Sequence, residues 1–89
     1  MKYTFYRDPG HGWLKIKRSE IIELGIADKI SSYSYQYGDA VYLEEDCDSA
    51  LFLRAYFKGD IPSEWRKMLP YEEKTSNKSS KIRNYERYS

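Results

Sequence analysis

The stretch Tyr33–Gly59, YSYQYGDAVYLEEDCDSALFLRAYFKG, decides the fold. Tyr33, Tyr35 and Tyr37 alternate with Ser34 and Gln36, a period of two that suits a strand. Gly38-Asp39 interrupts the alternation. Ala40–Glu44 resumes it, with Val41 and Leu43 on one face and Tyr42 on the other. The pattern predicts a hairpin that turns near Tyr37–Asp39. The period then changes. Asp46 or Asp48 can cap a helix, and from there to Lys58 the residues Phe52, Leu53 and Tyr56 fall opposite Arg54 and Lys58. Gly59 is placed to stop this helix. Cys47 and Leu51 lie on the Arg54 side and are expected to be partly exposed.

Toward the N-terminus, Lys2–Tyr6 is aromatic and short enough for a strand. Asp8-Pro9-Gly10 is a turn signal. Trp13–Lys17 alternates, with Leu14 and Ile16 on one face and Lys15 and Lys17 on the other, so these two strands form another hairpin. Ser19 is a credible N-cap for a short helix that ends at Gly25. Ile26 and Ile30, four apart, can seal the core edge. Toward the C-terminus, Ser63 is expected to open a short helix ending at Pro70, with Trp65 and Leu69 clamping it to the domain. Beyond Pro70 the sequence YEEKTSNKSSKIRNYERYS has low hydrophobicity and no sustained period.

These readings give an α+β fold class. Residues 1–70 are expected to form one domain, a small antiparallel sheet of about four strands in two hairpins with one main helix on one face. Residues 71–89 are expected to be a basic, disordered tail. The predicted core takes Phe5, Leu14 and Ile16 from the first hairpin and Val41 and Leu43 from the second. Ile21, Leu24 and Ile26 come from the short helix and its exit. Phe52, Leu53 and Tyr56 come from the long helix.

Composition bounds the function. Apolar residues are 40% and charged residues 33% of 89, ordinary for a globular chain. Ten tyrosines are not ordinary, and suit half-buried positions and contact surfaces. Net charge is +1, but residues 38–60 carry six acids against two bases, between mildly basic ends. One cysteine allows no internal disulfide and no cysteine-based zinc site within one chain. MKYTFYRDPG lacks the apolar core of a signal peptide, and no apolar run approaches the roughly 20 residues of a membrane span. A cytoplasmic protein without a membrane partner is expected.

Four stretches can carry chemistry. The acidic run Glu44-Glu45-Asp46-Cys47-Asp48 reads as a helix start favoured by the dipole, as a contact surface for a basic partner, or as a hard-cation site. It lacks the ligand series of a calcium-binding helix–loop–helix, and no metal or cofactor is assigned. His11, in a glycine loop, is a residue type that can act as a general acid or base, but no nucleophile stands at a recognisable spacing from it or from Cys47. The glycines around it match no phosphate loop. Tyr33, Tyr35 and Tyr37, with Tyr3, Tyr6 and Tyr42, form an aromatic set that can stack bases if a basic groove adjoins it. The tail carries five bases and three acids with Tyr85 and Tyr88 interleaved.

The runs DPGHGWL, ELGIADKIS, YSY and YLEEDCD resemble a small group of uncharacterised proteins encoded by bacteriophages and other mobile elements, over about half the chain (Asp8–Phe52). The resemblance implies a cytosolic setting and binding to a host or phage component, and carries no catalytic residues. Combined with the residues, it leads to a non-enzymatic protein-binding module, such as an inhibitor of a host nucleic-acid-associated protein. Its partner surface would comprise Glu44, Glu45, Asp46 and Asp48 with Leu51 and Tyr42. The alternative is a nucleic-acid-binding accessory protein that uses Lys15, Lys17 and Arg18 with Lys81 and Arg83 of the tail.

Overall fold

The structure is a computed structural model and describes residues 3–89. Lys2, the expected start of the first strand, lies outside the described residues. The strands are β1 (Tyr3–Arg7), β2 (Gly12–Lys17), β3 (Tyr35–Tyr37), β4 (Ala40–Glu44), β5 (Tyr71–Thr75) and β6 (Glu86–Arg87). They make one six-stranded sheet in the order β5-β1-β2-β4-β3-β6. Both expected hairpins are present, with β1 antiparallel to β2 and β3 antiparallel to β4. β2 and β4 join them, opposing Leu14 to Leu43 and Ile16 to Val41. The sheet is mixed rather than purely antiparallel, because β5 lies parallel to β1. A parallel neighbour needs a long crossover, and the helical segment between β4 and β5 provides it.

The period of two assigns the faces. Tyr3, Phe5, Leu14, Ile16, Val41 and Leu43 share the first face and are all buried. Two helices cover them. α1 (Arg18–Glu23) contributes Ile21, and α2 (Asp48–Tyr56) contributes Phe52 and Leu53. Of the predicted core, only Leu24 and Tyr56 are partly rather than fully buried, and both pack against it. α3 (Trp65–Met68) sets the buried Leu69 and half-buried Trp65 against the same cluster.

Helix ends differ from expectation. α1 begins at Arg18 without a side-chain cap from Ser19. α2 is preceded by Cys47, not by a capping aspartate. Its stop comes one residue before the glycine: Lys58 takes the left-handed conformation with φ 58°. Gly59 N–H donates to Arg54 O at 2.9 Å, which closes the last turn from outside. In the second hairpin, β3 begins at Tyr35, because Ser34 is turned inward to hold α2.

The largest correction concerns residues 71–89, expected as a disordered tail. They form β5 at one edge, cross the second face of the sheet, and end as β6 at the other edge. The crossing includes a 3₁₀ turn at Lys81–Asn84, opened by Ser80 Oγ accepting from Ile82 N–H. Ile82 and Tyr88 are buried. The Tyr88 hydroxyl donates to Ala27 O, in the connection between α1 and β3. Few apolar residues suffice because the docking partners lie on the sheet rather than within the segment.

Candidate functional site

The acidic run does not form one surface. Asp48 is 3% exposed. Its carboxylate accepts from Ser31 N–H at 3.1 Å, Ser31 Oγ at 2.6 Å and Ser34 Oγ at 2.5 Å. It ties α2 to the loop before β3, because a carboxylate withdrawn from water must be hydrogen-bonded. Glu45 pairs with Arg7 Nη2 at 2.9 Å. Glu44 accepts from Asp46 N–H at 2.9 Å, and its side chain is 13% exposed. Tyr42 is buried on the second face, where burial pushes its phenol up to about 12, helped by Tyr85 and Tyr6. Leu51 is half-buried against the core. Of the six residues expected to meet a partner, Asp46 alone is exposed. Alternation and the helix register point the others inward or into internal pairs. Among the described residues no group of three or more His, Cys, Asp or Glu side chains gathers to hold a metal ion.

The second face is as aromatic as the first is aliphatic. Trp13 and Tyr42 are buried there beneath Ile82, with Tyr6, Tyr35 and Tyr85 packed around them. The covering segment, Ser76–Tyr85, is anchored at Asp8. The Asp8 side chain has no exposed surface. It receives Arg83 Nε at 2.7 Å and Nη2 at 3.0 Å, and Ser80 N–H at 2.8 Å. It also accepts from Gly10 N–H and His11 N–H within its own turn. The Arg83 guanidinium, joined by these backbone donors and opposed by desolvation, holds the Asp8 carboxyl well below the usual range. The same contact raises Arg83. The turn signal Asp8-Pro9-Gly10 therefore serves as a clasp as well as a bend.

This strap leaves two openings. One is a groove of about 570 Å³, lined by Lys15 and Lys17 from β2, Tyr37 from β3, and Lys81 and Tyr85 from the strap. The three lysines are exposed, and none is ion-paired with a described residue. Tyr37, 65% exposed, stacks on Tyr85 with ring centroids 4.6 Å apart and planes 12° apart. Asp39 also lines this groove. The other opening is a cleft of about 440 Å³ with aromatic walls from Trp13, Tyr33 and Tyr35. It brings Glu44, Asp46 and His11 to the same space as Arg87 and Arg83. His11 Nδ1 stands 3.6 Å from Glu44 Oε2, beyond hydrogen-bond length.

Of the expected nucleic-acid set, Lys15, Lys17 and Lys81 therefore meet in one groove. Arg18 does not join them: its Nη2 donates to Gln36 Oε1 at 3.2 Å. Arg83 is committed to Asp8. Trp13 and Arg87 line the cleft without having been expected as site residues, while Tyr6, from the expected aromatic set, and Tyr85, from the expected tail, line the groove. A signal for them exists: β1–β4 carry aromatic residues on the face opposite the aliphatic core, so both faces need cover.

Compared with known proteins, the chain matches no family model, no curated protein and no solved structure. No helix among the described residues is long and apolar enough to cross a membrane.

Proposed function

We propose that the protein binds single-stranded nucleic acid along the groove between β2 and the strap. The observation that carries this reading is the convergence of Lys15 and Lys17 with Lys81, from opposite ends of the sequence, beside the stacked pair Tyr37–Tyr85. Unpaired ammonium groups supply a track for phosphates. The exposed ring of Tyr37 supplies a face for a base, and stacking tolerates any base. The acidic run lends a protein-binding reading less support, since Asp48 and Tyr42 are buried and Glu45 is paired. The resemblance to proteins of bacteriophages and mobile elements contributes no residue to either reading.

Fluorescence anisotropy with a labelled mixed-sequence 12-mer tests it. Three phosphate contacts give a slope of log K on log salt of about −2 for a single strand, or about a 20-fold loss from 50 to 200 mM. Lys81→Ala should make that slope shallower by about 0.7. Tyr37→Ala should weaken binding about tenfold at every salt concentration, from one lost stack. Absence of binding at 50 mM salt, or binding unchanged by Lys15→Glu, would overturn the proposal.

A further inference from the structure

The cleft on the other side of the strap brings arginines and two carboxylates, Glu44 and Asp46, to one aromatic space. Tyr33 presents a ring 67% exposed, the freest stacking surface of the cleft. Arg87 lies over the Tyr35 ring at 5.1 Å and gives one N–H to Ser32 O at 2.9 Å, keeping further donors available. Glu44 projects its carboxylate into the same cleft from the end of β4. That carboxylate already accepts from Asp46 N–H through Oε1, but its two oxygens offer about four lone-pair sites. A ligand suited to all three features is planar, carries adjacent hydrogen-bond donors at one edge, and is anionic at the other end. A purely cationic ligand would meet Arg87, and a purely anionic one would meet Glu44 and Asp46.

Among nucleobases the donor requirement is selective. Guanine alone sets two donors side by side, N1–H and N2–H₂, where a carboxylate can accept both. Adenine and cytosine set one amino donor beside a ring acceptor, which a carboxylate repels. Uracil and thymine flank one donor with two carbonyls. From this lining we infer that the cleft is a guanine site, with Glu44 accepting from the base edge, Tyr33 stacking on the base and Arg87 meeting the phosphate. This rests on the reading of the protein as a nucleic-acid binder only for the source of the guanine. A base within a strand and a free mononucleotide offer the same chemistry.

Tryptophan fluorescence, with Trp13 in the cleft wall, reads binding of GMP, AMP, CMP and UMP to the wild-type protein. Anisotropy of 12-mers with and without one guanine reads the strand source. GMP should bind at least about tenfold tighter than the other three, as one bidentate base contact allows. Glu44→Gln, which retains an acceptor for Asp46 N–H, should remove that preference, with its thermal unfolding recorded in parallel to show the variant folded. GMP preference with guanine-dependent 12-mer binding supports both readings. GMP preference without any 12-mer binding supports the cleft and overturns the strand reading. Binding of 12-mers with no preference for guanine and none for GMP overturns the guanine site and leaves the groove standing. No binding of either probe overturns both.

Discussion

Replacing Ile82 with alanine tests whether the last part of the chain belongs to the folded structure. Ile82 is 2% exposed and packs with Trp13 and Tyr42, the buried members of the second-face cluster. Truncating a buried isoleucine to alanine costs about 2–5 kcal/mol, by lost transfer energy and the cavity left behind. The cluster here is small and open to grooves on both sides, so its walls can partly collapse, and the lower half of that range, about 2–3 kcal/mol, is expected. For a chain of this size, a loss of that order corresponds to a fall in Tm of about 10–20 °C. Urea unfolding followed by both tryptophan fluorescence and far-ultraviolet circular dichroism should give coincident transitions shifted to lower urea. Asn77→Ala, in the exposed part of the same segment, should stay within about 0.5 kcal/mol of the wild type. If Ile82→Ala behaves like Asn77→Ala, the segment does not dock and the second face is bare.

Three further outcomes follow from particular contacts. The Asp8 carboxyl is held below its ordinary value in the fold, so its contribution is complete above about pH 4, the unfolded value, and diminishes as pH falls below that toward the folded value. The gap between the urea midpoints of wild type and Asp8→Asn should therefore narrow as pH falls from about 4 to about 2, and a gap constant across that window would remove the ion pair as the cause. Asp48→Ala strands the Ser31 N–H and the Ser31 and Ser34 hydroxyls; at about 1–3 kcal/mol per unsatisfied buried donor a loss of about 3 kcal/mol is expected, and a change under about 1 kcal/mol would show that Asp48 faces solvent after all. Lys58→Gly should stabilise the protein by about 1 kcal/mol, since the left-handed φ of 58° strains any residue with a Cβ; an unchanged denaturation midpoint would argue that α2 ends differently.

Local signals carried much of this fold. The alternation in Trp13–Lys17 and Ala40–Glu44 assigns the aliphatic face, and the helical period of Asp48–Tyr56 aims Phe52 and Leu53 at it. Those periods depend on short-range geometry, so they are legible from residue order. The docking of Ser76–Tyr85 is not. Its one strong apolar anchor, Ile82, has no periodic companions, and Arg83 meets Asp8 75 residues away. The run Glu44–Asp48 misleads for a related reason. Adjacent acids look alike in sequence, while the strand end, the turn and the helix start send Glu45 to Arg7 and Asp48 to Ser31 and Ser34. Lys15 and Lys17 were legible as a basic strand face, but their company with Lys81 comes only from the path of the strap.

The placement of β5 and β6 at opposite edges has a consequence for folding. Each of these strands caps an edge that the first 70 residues alone would leave open, and the segment between them covers Trp13 and Tyr42. Without residues 71–89 docked, the sheet would display unpaired β1 and β3 backbone and an aromatic surface, the features that promote strand-to-strand self-association. Pairings over such separations also close slowly, because the loop entropy is lost before any contact forms. Completion of the sheet therefore waits on residues 71–89, and until they dock the strands before them remain open to self-association.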